Sequence, residues 1–347
     1  MQQLFDQFSY GEHHPLAVRR FADYLLRQSS GSAKKPRFLL LLGRSRSTLG
    51  VRRNPAQATL DMVMTAGYPG SDIVFTAGLD GFPADVPALM TGRVNAGTPQ
   101  EVVDYLNKVK EYERPLADGP WRKNVLHLSG GKTPAEAGQF RRLVDGYRDQ
   151  IVAQPLGARV STLAKVTDNP VERIDVAGPV NEGVGLMTFF GHSGLDVTDL
   201  DIGFCSGDAF GCRNKGRYPF LLINGCAIGN FFFGRPTLAT DWVLTPDQGA
   251  IAVLAHTHLG YVNYLNDYSS TFYNLLTDSM SLNQPIGYLQ QETIRRVLSR
   301  TPDGQALANC QQMVLQGDPS IRFFPFAAPD YGITAGGLTV RGANDER

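Results

Sequence analysis

A chain of 347 residues, 42% of them hydrophobic, is long enough for one large α/β layer structure or two modest cores, and needs no disulfide staples to fold. Lys plus Arg equals Asp plus Glu at 33 each, with no long single-sign block, so charge gives no reason to expect nucleic acid or an anionic membrane as partner. No run of 18 apolar residues and no charged leader followed by an apolar stretch occurs, so neither a membrane span nor a signal peptide is visible.

The first predicted element is a helix over 15–28, with Leu16, Val18, Phe21, Leu25 and Leu26 on one face and Pro15 at its start. The flank before it, including His13 and His14, reads as a solvated loop. Arg37 to Gly43 is a continuous apolar run, which suits a central parallel strand covered on both faces. Residues 44–70 are polar and turn-rich and are expected to form a loop at that strand's carboxyl end. Residues 72–76 and 86–93 read as strands, the second carrying Pro87, which favours an edge or a strand start. A helix over 99–113 follows, N-capped by Thr98. Residues 115–120 form a natural boundary.

The second half repeats the alternation. A strand at 124–128 leads through Gly130-Gly-Lys-Thr133 into a helix over 135–152. That glycine turn is not a phosphate loop, because G-x-x-x-x-G-K-[ST] needs a glycine at position 126, where Leu126 stands. Strands are then expected at 160–166, up to His192, up to Cys226 and over 249–256, with a helix at 238–244. Residues 268–299 read as two helices, 317–324 as a last turn and strand, and the end from about Asp330 as a frayed tail. Strands alternating with helices predict a doubly wound α/β layer with helices on both faces.

The chemistry concentrates between Met187 and Phe233. Two buried-strand patterns end in Gly191-His192-Ser-Gly194 and Gly225-Cys226, which delivers an imidazole and a thiol to the carboxyl edge of a parallel sheet. A thiol attacks as thiolate, and a neighbouring imidazole takes or holds its proton. Ser193, Gly194 and Gly225 are placed to present backbone N–H groups to a developing oxyanion. The competing reading makes Cys226 a core thiol and His192 a loop residue. His256, His258 and Tyr261 end the next strand and are expected to line a substrate cleft; His-x-His is also a metal pattern, but no third ligand accompanies it, and a plain surface loop is the remaining alternative. No cofactor or metal is called for. Cys205 and Cys212, flanking a glycine-containing loop, are either two free thiols or a disulfide.

These residues together resemble the gingipain-like cysteine peptidases, and within them the PorU-type sortases of the type IX secretion system. The likeness rests on an ordered set: Phe8-Ser-Tyr-Gly11 with Leu16-Ala-Val-Arg-Arg20, Pro36 to Gly43, Thr91-Gly-Arg93, Thr98-Pro-Gln-Glu101, Trp121-Arg-Lys-Asn-Val125, Gly191-His192, Asn224-Gly-Cys226, Gly249-Ala-Ile-Ala252 and Gly317-Asp-Pro-Ser320. It spans roughly residues 4 to 327 and implies a caspase-like fold of two subdomains, 1–118 and a catalytic 119–327, followed by a tail at 328–347. It further implies Cys226 as nucleophile and His192 as its acid–base partner. Protein substrates follow from it, in particular C-terminal signal domains of secreted proteins, together with other secretion-system components as partners. The implied location is extracytoplasmic, at the outer membrane or surface of a bacterium.

Structural calcium is compatible with the resemblance, although Asp80, Asp85 and Asp318 carry no assignment as ligands. The departures are specific. Ser193 stands where the family usually has glycine, and Ser129 stands where gingipains place an acidic residue, leaving a third catalytic residue unassigned and no arginine-selecting acidic pocket evident. The strand, helix and strand that open family members are absent before Met1, so the chain reads as a piece of a longer protein with an exposed sheet edge. A catalytically silent scaffold or binding module of a secretion complex is the alternative function.

Overall fold

The computed structural model describes residues 1–114, 119–153, 155–322 and 324. Helices α1 (Gln2–Phe8) and α2 (Leu16–Gln28) precede β1 (Phe38–Leu42), α3 (Thr48–Arg53), β2 (Met90–Val94) and α4 (Pro99–Tyr112). Then come β3 (Asn124–Ser129), α5 (Pro134–Ile151), β4 (Arg159–Ala164), β5 (Glu172–Arg173), α6 (Ala177–Glu182), β6 (Leu186–Phe190), β7 (Leu200–Asp201) and β8 (Phe220–Asn224). The chain continues through α7 (Leu238–Leu244), β9 (Ala252–His256), α8 (Val262–Leu275), α9 (Ser279–Leu282), α10 (Ile286–Arg300), α11 (Gly304–Gln312) and β10 (Met313–Gln316).

Eight strands form one sheet in the order β1-β2-β10-β9-β8-β6-β3-β4, and β5 and β7 form a small separate pair. The β9, β8, β6, β3 and β4 block is parallel, as is the β1–β2 pair. β10 runs antiparallel to β9 and meets β2 at a single register pair, Arg93 with Gln316. Strands from both sides of residue 118 therefore share one sheet, and residues 115–118 and the tail lie outside the described residues.

The five-residue apolar runs of β6, β8 and β9 are buried at every position because the sheet is covered on both faces. Pleating sends His127 and Thr188 toward α8, where Tyr273 hydroxyl bonds both at 2.8 and 2.7 Å. Leu128, Met187, Phe189, Leu221 and Ile223 point the other way, against Thr198 and Ile202.

Several expected boundaries shift. Residues 72–76 form a short 3-10 turn, not a strand: Asp72 is held there by a bidentate ion pair to buried Arg93 at 2.7 and 2.8 Å. The same guanidinium donates to the carbonyls of Gly43, Val63 and Met64, and so fastens the 43–72 segment to β2; that segment, expected to form a loop, carries α3 and a 3-10 turn over Pro55–Leu60, capped by Ser47 and Asn54. The final strand is 313–316, ahead of the predicted 317–324, because Gly317 at φ +136 turns the chain where a Cβ would strike Ala252. The region expected to hold two helices starts earlier and contains α8, α9 and α10, with α11 beyond it. Cys205 and Cys212 are both buried free thiols. Among the described residues no helix is long and apolar enough to cross a membrane.

Candidate active site

β6 and β8 are parallel neighbours in a register that pairs Phe190 with Asn224. His192 and Cys226 each lie two residues beyond that pair, so adjacent strands release them at the same edge. Asn224 fixes the spacing: its amide donates to Phe189 O at 3.2 Å and accepts from Ser269 at 2.6 Å, and its carbonyl takes the Gly191 N–H at 3.1 Å. Ser193 hydroxyl then donates to Cys226 O at 2.8 Å, tying the two loops together. A Cβ at Gly225 would collide with Ser193 Oγ, so a larger residue there would push Ser193 off its bond to Cys226 O.

Past the thiol the backbone enters the left-handed region at Ala227, with φ +57, a conformation that disfavours residues carrying a Cβ. Ala227 N–H donates to His258 O at 2.7 Å and Gly229 N–H to His256 O at 3.0 Å, laying this loop over the end of β9. Cys226 is half-buried, its sulfur 3.9 Å from Gly260 O.

His192 has a carboxylate partner. Its Nε2 lies 3.2 Å from Glu136 Oε2, both side chains about one-third exposed. An ionised carboxylate only accepts, so Nε2 carries the hydrogen and Nδ1 is left as the base. The Lys132 N–H at 2.9 Å, followed by the bond to His192, holds the Glu136 carboxyl below its ordinary pKa. Glu136 thus places beside His192 the carboxylate that Ser129 does not supply. A trace of it stands in Thr133-Pro134-Ala135-Glu136, a helix-start pattern with Thr133 as N-cap; it marks the helix but not the imidazole it faces.

The other expected site residues divide. Gly194 is unavailable to an oxyanion because its N–H donates to Val197 O at 2.8 Å in a tight turn. The N–H groups of Ser193, Gly225 and Cys226 have no partner among the described residues. His256 does not line a cleft: it is 1% exposed beneath the 225–230 loop, its Nδ1 faces His258 O at 3.0 Å, and burial lowers its pKa to about 4. His258 is half-buried against Tyr68, and Tyr261 is exposed at the start of α8. Gly131 N–H goes to Asp199 Oδ2 at 2.8 Å, so the Gly130–Thr133 turn is closed by a carboxylate. Among the described residues no group of three or more His, Cys, Asp or Glu is arranged to hold a metal ion; Asp80 pairs with Lys35 and Asp318 caps Ser320.

A cysteine and a carboxylate-backed histidine on adjacent parallel strands of a helix-covered sheet define a caspase-like cysteine peptidase fold. The model of Peptidase family C25 matches residues 1–324, and the chain belongs to that family. The fold is shared with the Arg-specific cysteine proteinase gingipain R (RgpB), at TM-score 0.68 and 14% identity over 91% of this chain and 69% of that one. A complex of Porphyromonas gingivalis RgpB pro- and mature domains gives 0.68 and 13% over 91% and 71%. A structure described as a protease gives 0.71 and 16% over 88% and 68%. No curated protein matches the sequence.

Proposed function

We propose that this protein is a cysteine endopeptidase in which Cys226 is the nucleophile, His192 the acid–base group and Glu136 the residue that orients His192. The observation that carries this reading is the shared register of the two strand ends, which releases His192 and Cys226 at one sheet edge, with His192 Nε2 turned to Glu136. His192 takes the thiol proton, and the thiolate attacks a peptide carbonyl carbon. The new C–S bond pushes charge onto oxygen, which the N–H groups of Ser193 and Cys226 are free to receive. Collapse breaks the C–N bond, His192 returns its proton to the leaving amine, and an acyl-thioester remains. Water releases it as an acid, and an amine releases it as an amide.

The finer reading makes the enzyme a secretion sortase acting on C-terminal signal domains outside the cytoplasm. It is supported by the ordered motif resemblance. Mass spectrometry after incubation with a peptidyl acyloxymethyl ketone tests the chemistry. One covalent adduct is expected, absent in Cys226→Ala and reduced in His192→Ala; a folded protein unlabelled by varied peptide sequences would leave a binding module. Incubating an acceptor amine with a substrate carrying a C-terminal signal domain then separates amide from acid product, and acid alone would remove the transferase reading.

A further inference from the structure

Arg46 is a charged side chain with little to hold it. It is 7% exposed, its Nε is buried without a hydrogen-bond partner, and its guanidinium makes no hydrogen bond or ion pair among the described residues. Asp61, whose charge reaches it, bonds the Arg46 backbone N–H at 3.0 Å instead, and Arg44 adds a like charge. A buried cation left this way is costly unless an anion completes it.

Two cavities meet at Arg46. The larger, about 410 Å³, is balanced, with Glu101, Asp104 and Asp241 set among its arginines. The smaller, about 290 Å³, has Arg46 and Arg53 in its lining and no carboxylate. Asn230 also lines it: the Nδ2 donor makes no hydrogen bond among the described residues, while Oδ1, an acceptor, is buried without a partner and offers an anion nothing; aromatic rings from Tyr68, Phe232 and Phe233 complete the lining.

One lining residue of this cavity lies close to the nucleophile along the chain. Asn230 is four residues past Cys226, a span of at most ~14 Å if extended, and the Ala227 O to Asn230 N–H bond at 2.9 Å folds it shorter. Tyr68 also packs edge-on against His258, which accepts the Ala227 N–H. An extended peptide covers that distance in about four residues.

We propose that the cavity between Arg46, Arg53 and Asn230 is a substrate subsite that takes a peptide carboxylate within about four residues of the scissile bond. The assignment rests on the peptidase reading for its substrate class. Arg46 and the Asn230 amide donate to the carboxylate, Arg53 supplies charge from the exposed rim, and the rings cover the methylenes.

The test is equilibrium binding of fluorescent peptides to Cys226→Ala protein, which needs no turnover. Each peptide has an amidated C-terminus and a single Glu, or Gln in its place, scanned through four positions on either side of a fixed centre; a second set ends in a free carboxylate. Binding at least tenfold tighter for Glu than Gln at one position, or for the free over the amidated terminus, is expected. That ratio should fall toward one in Arg46→Met, shrink in Arg53→Gln at the exposed rim, and invert in Asn230→Asp. Equal binding at every position, no binding of any acidic peptide, or a ratio unchanged in every folded variant would overturn the subsite. Parent protein that never labels at Cys226 while the Cys226→Ala form still prefers Glu would remove the peptidase and leave the subsite standing.

Discussion

His192 and His256 come from the strands on either side of the Cys226 strand, yet they live in different chemical worlds. One lies two residues beyond its strand, about one-third exposed, with a carboxylate at 3.2 Å. The other is the last residue of its strand, sealed under the loop that follows the thiol, facing a backbone carbonyl and held neutral by burial. A strand-end histidine beside a strand-end cysteine is therefore not enough to define a base. Access to water and an anionic partner decide which imidazole can take a proton and give it back.

Exchanging the fates of the two histidines gives the largest expected effect. His192→Ala should lower kcat/KM at least about 1000-fold, as loss of a triad base does, while His256→Leu, per folded molecule, should leave it within threefold. Active-site titration followed by steady-state kinetics on a common peptide makes the measurement, and equal losses would break the contrast. Glu136→Gln keeps the shape but not the charge, and a misaligned imidazole should cost about 100-fold in kcat/KM. The same assay reads it, with Glu136→Asp recovering part of the loss.

Acid should expose the buried side of the comparison. His256 and core His127 both have pKa values lowered to about 4 by burial, so below an ordinary value near 6.5 the unfolded chain takes up protons that the folded one refuses. Stability is then fully present above pH 6.5 and falls as pH drops toward 4, by about 2.5 kcal/mol per histidine at pH 4.5. Urea midpoints from pH 7.5 to 4.5 should show this slope, and His256→Leu should flatten it. The smallest effect sits between the histidines: Ala227→Gly removes a left-handed alanine and should raise stability by roughly 0.5 kcal/mol, read as a small shift in the same midpoint.

Much of this was legible beforehand where a run of residues carries its own meaning. The apolar stretches of β3, β6, β8 and β9 announce strands buried on both faces, and the glycines around His192 and Cys226 announce a crowded turn. β1 carries the same apolar pattern, but the expectation of a central strand fails: among the described residues it ends the sheet, mostly half-buried and with Leu42 exposed. What stayed hidden depends on residues meeting from far apart. Glu136 precedes its histidine by 56 positions and advertises only a helix cap. The 72–76 segment looks like a strand until Arg93 claims Asp72. His256 looks open until the loop carrying Gly229 closes over it, and Ser193, a mere departure from pattern, turns out to hold the Cys226 carbonyl.

The placement of β10 also has a meaning in time. It fills the gap between β2 and β9, and its Gln316 meets Arg93 more than two hundred residues upstream. At a ribosomal pace of ~5–20 residues per second, the β1–β2 pair waits on the order of 10–45 s before its sheet neighbour exists. During that interval the β2 edge is an unsatisfied template, open to pairing with another chain until β10 closes it.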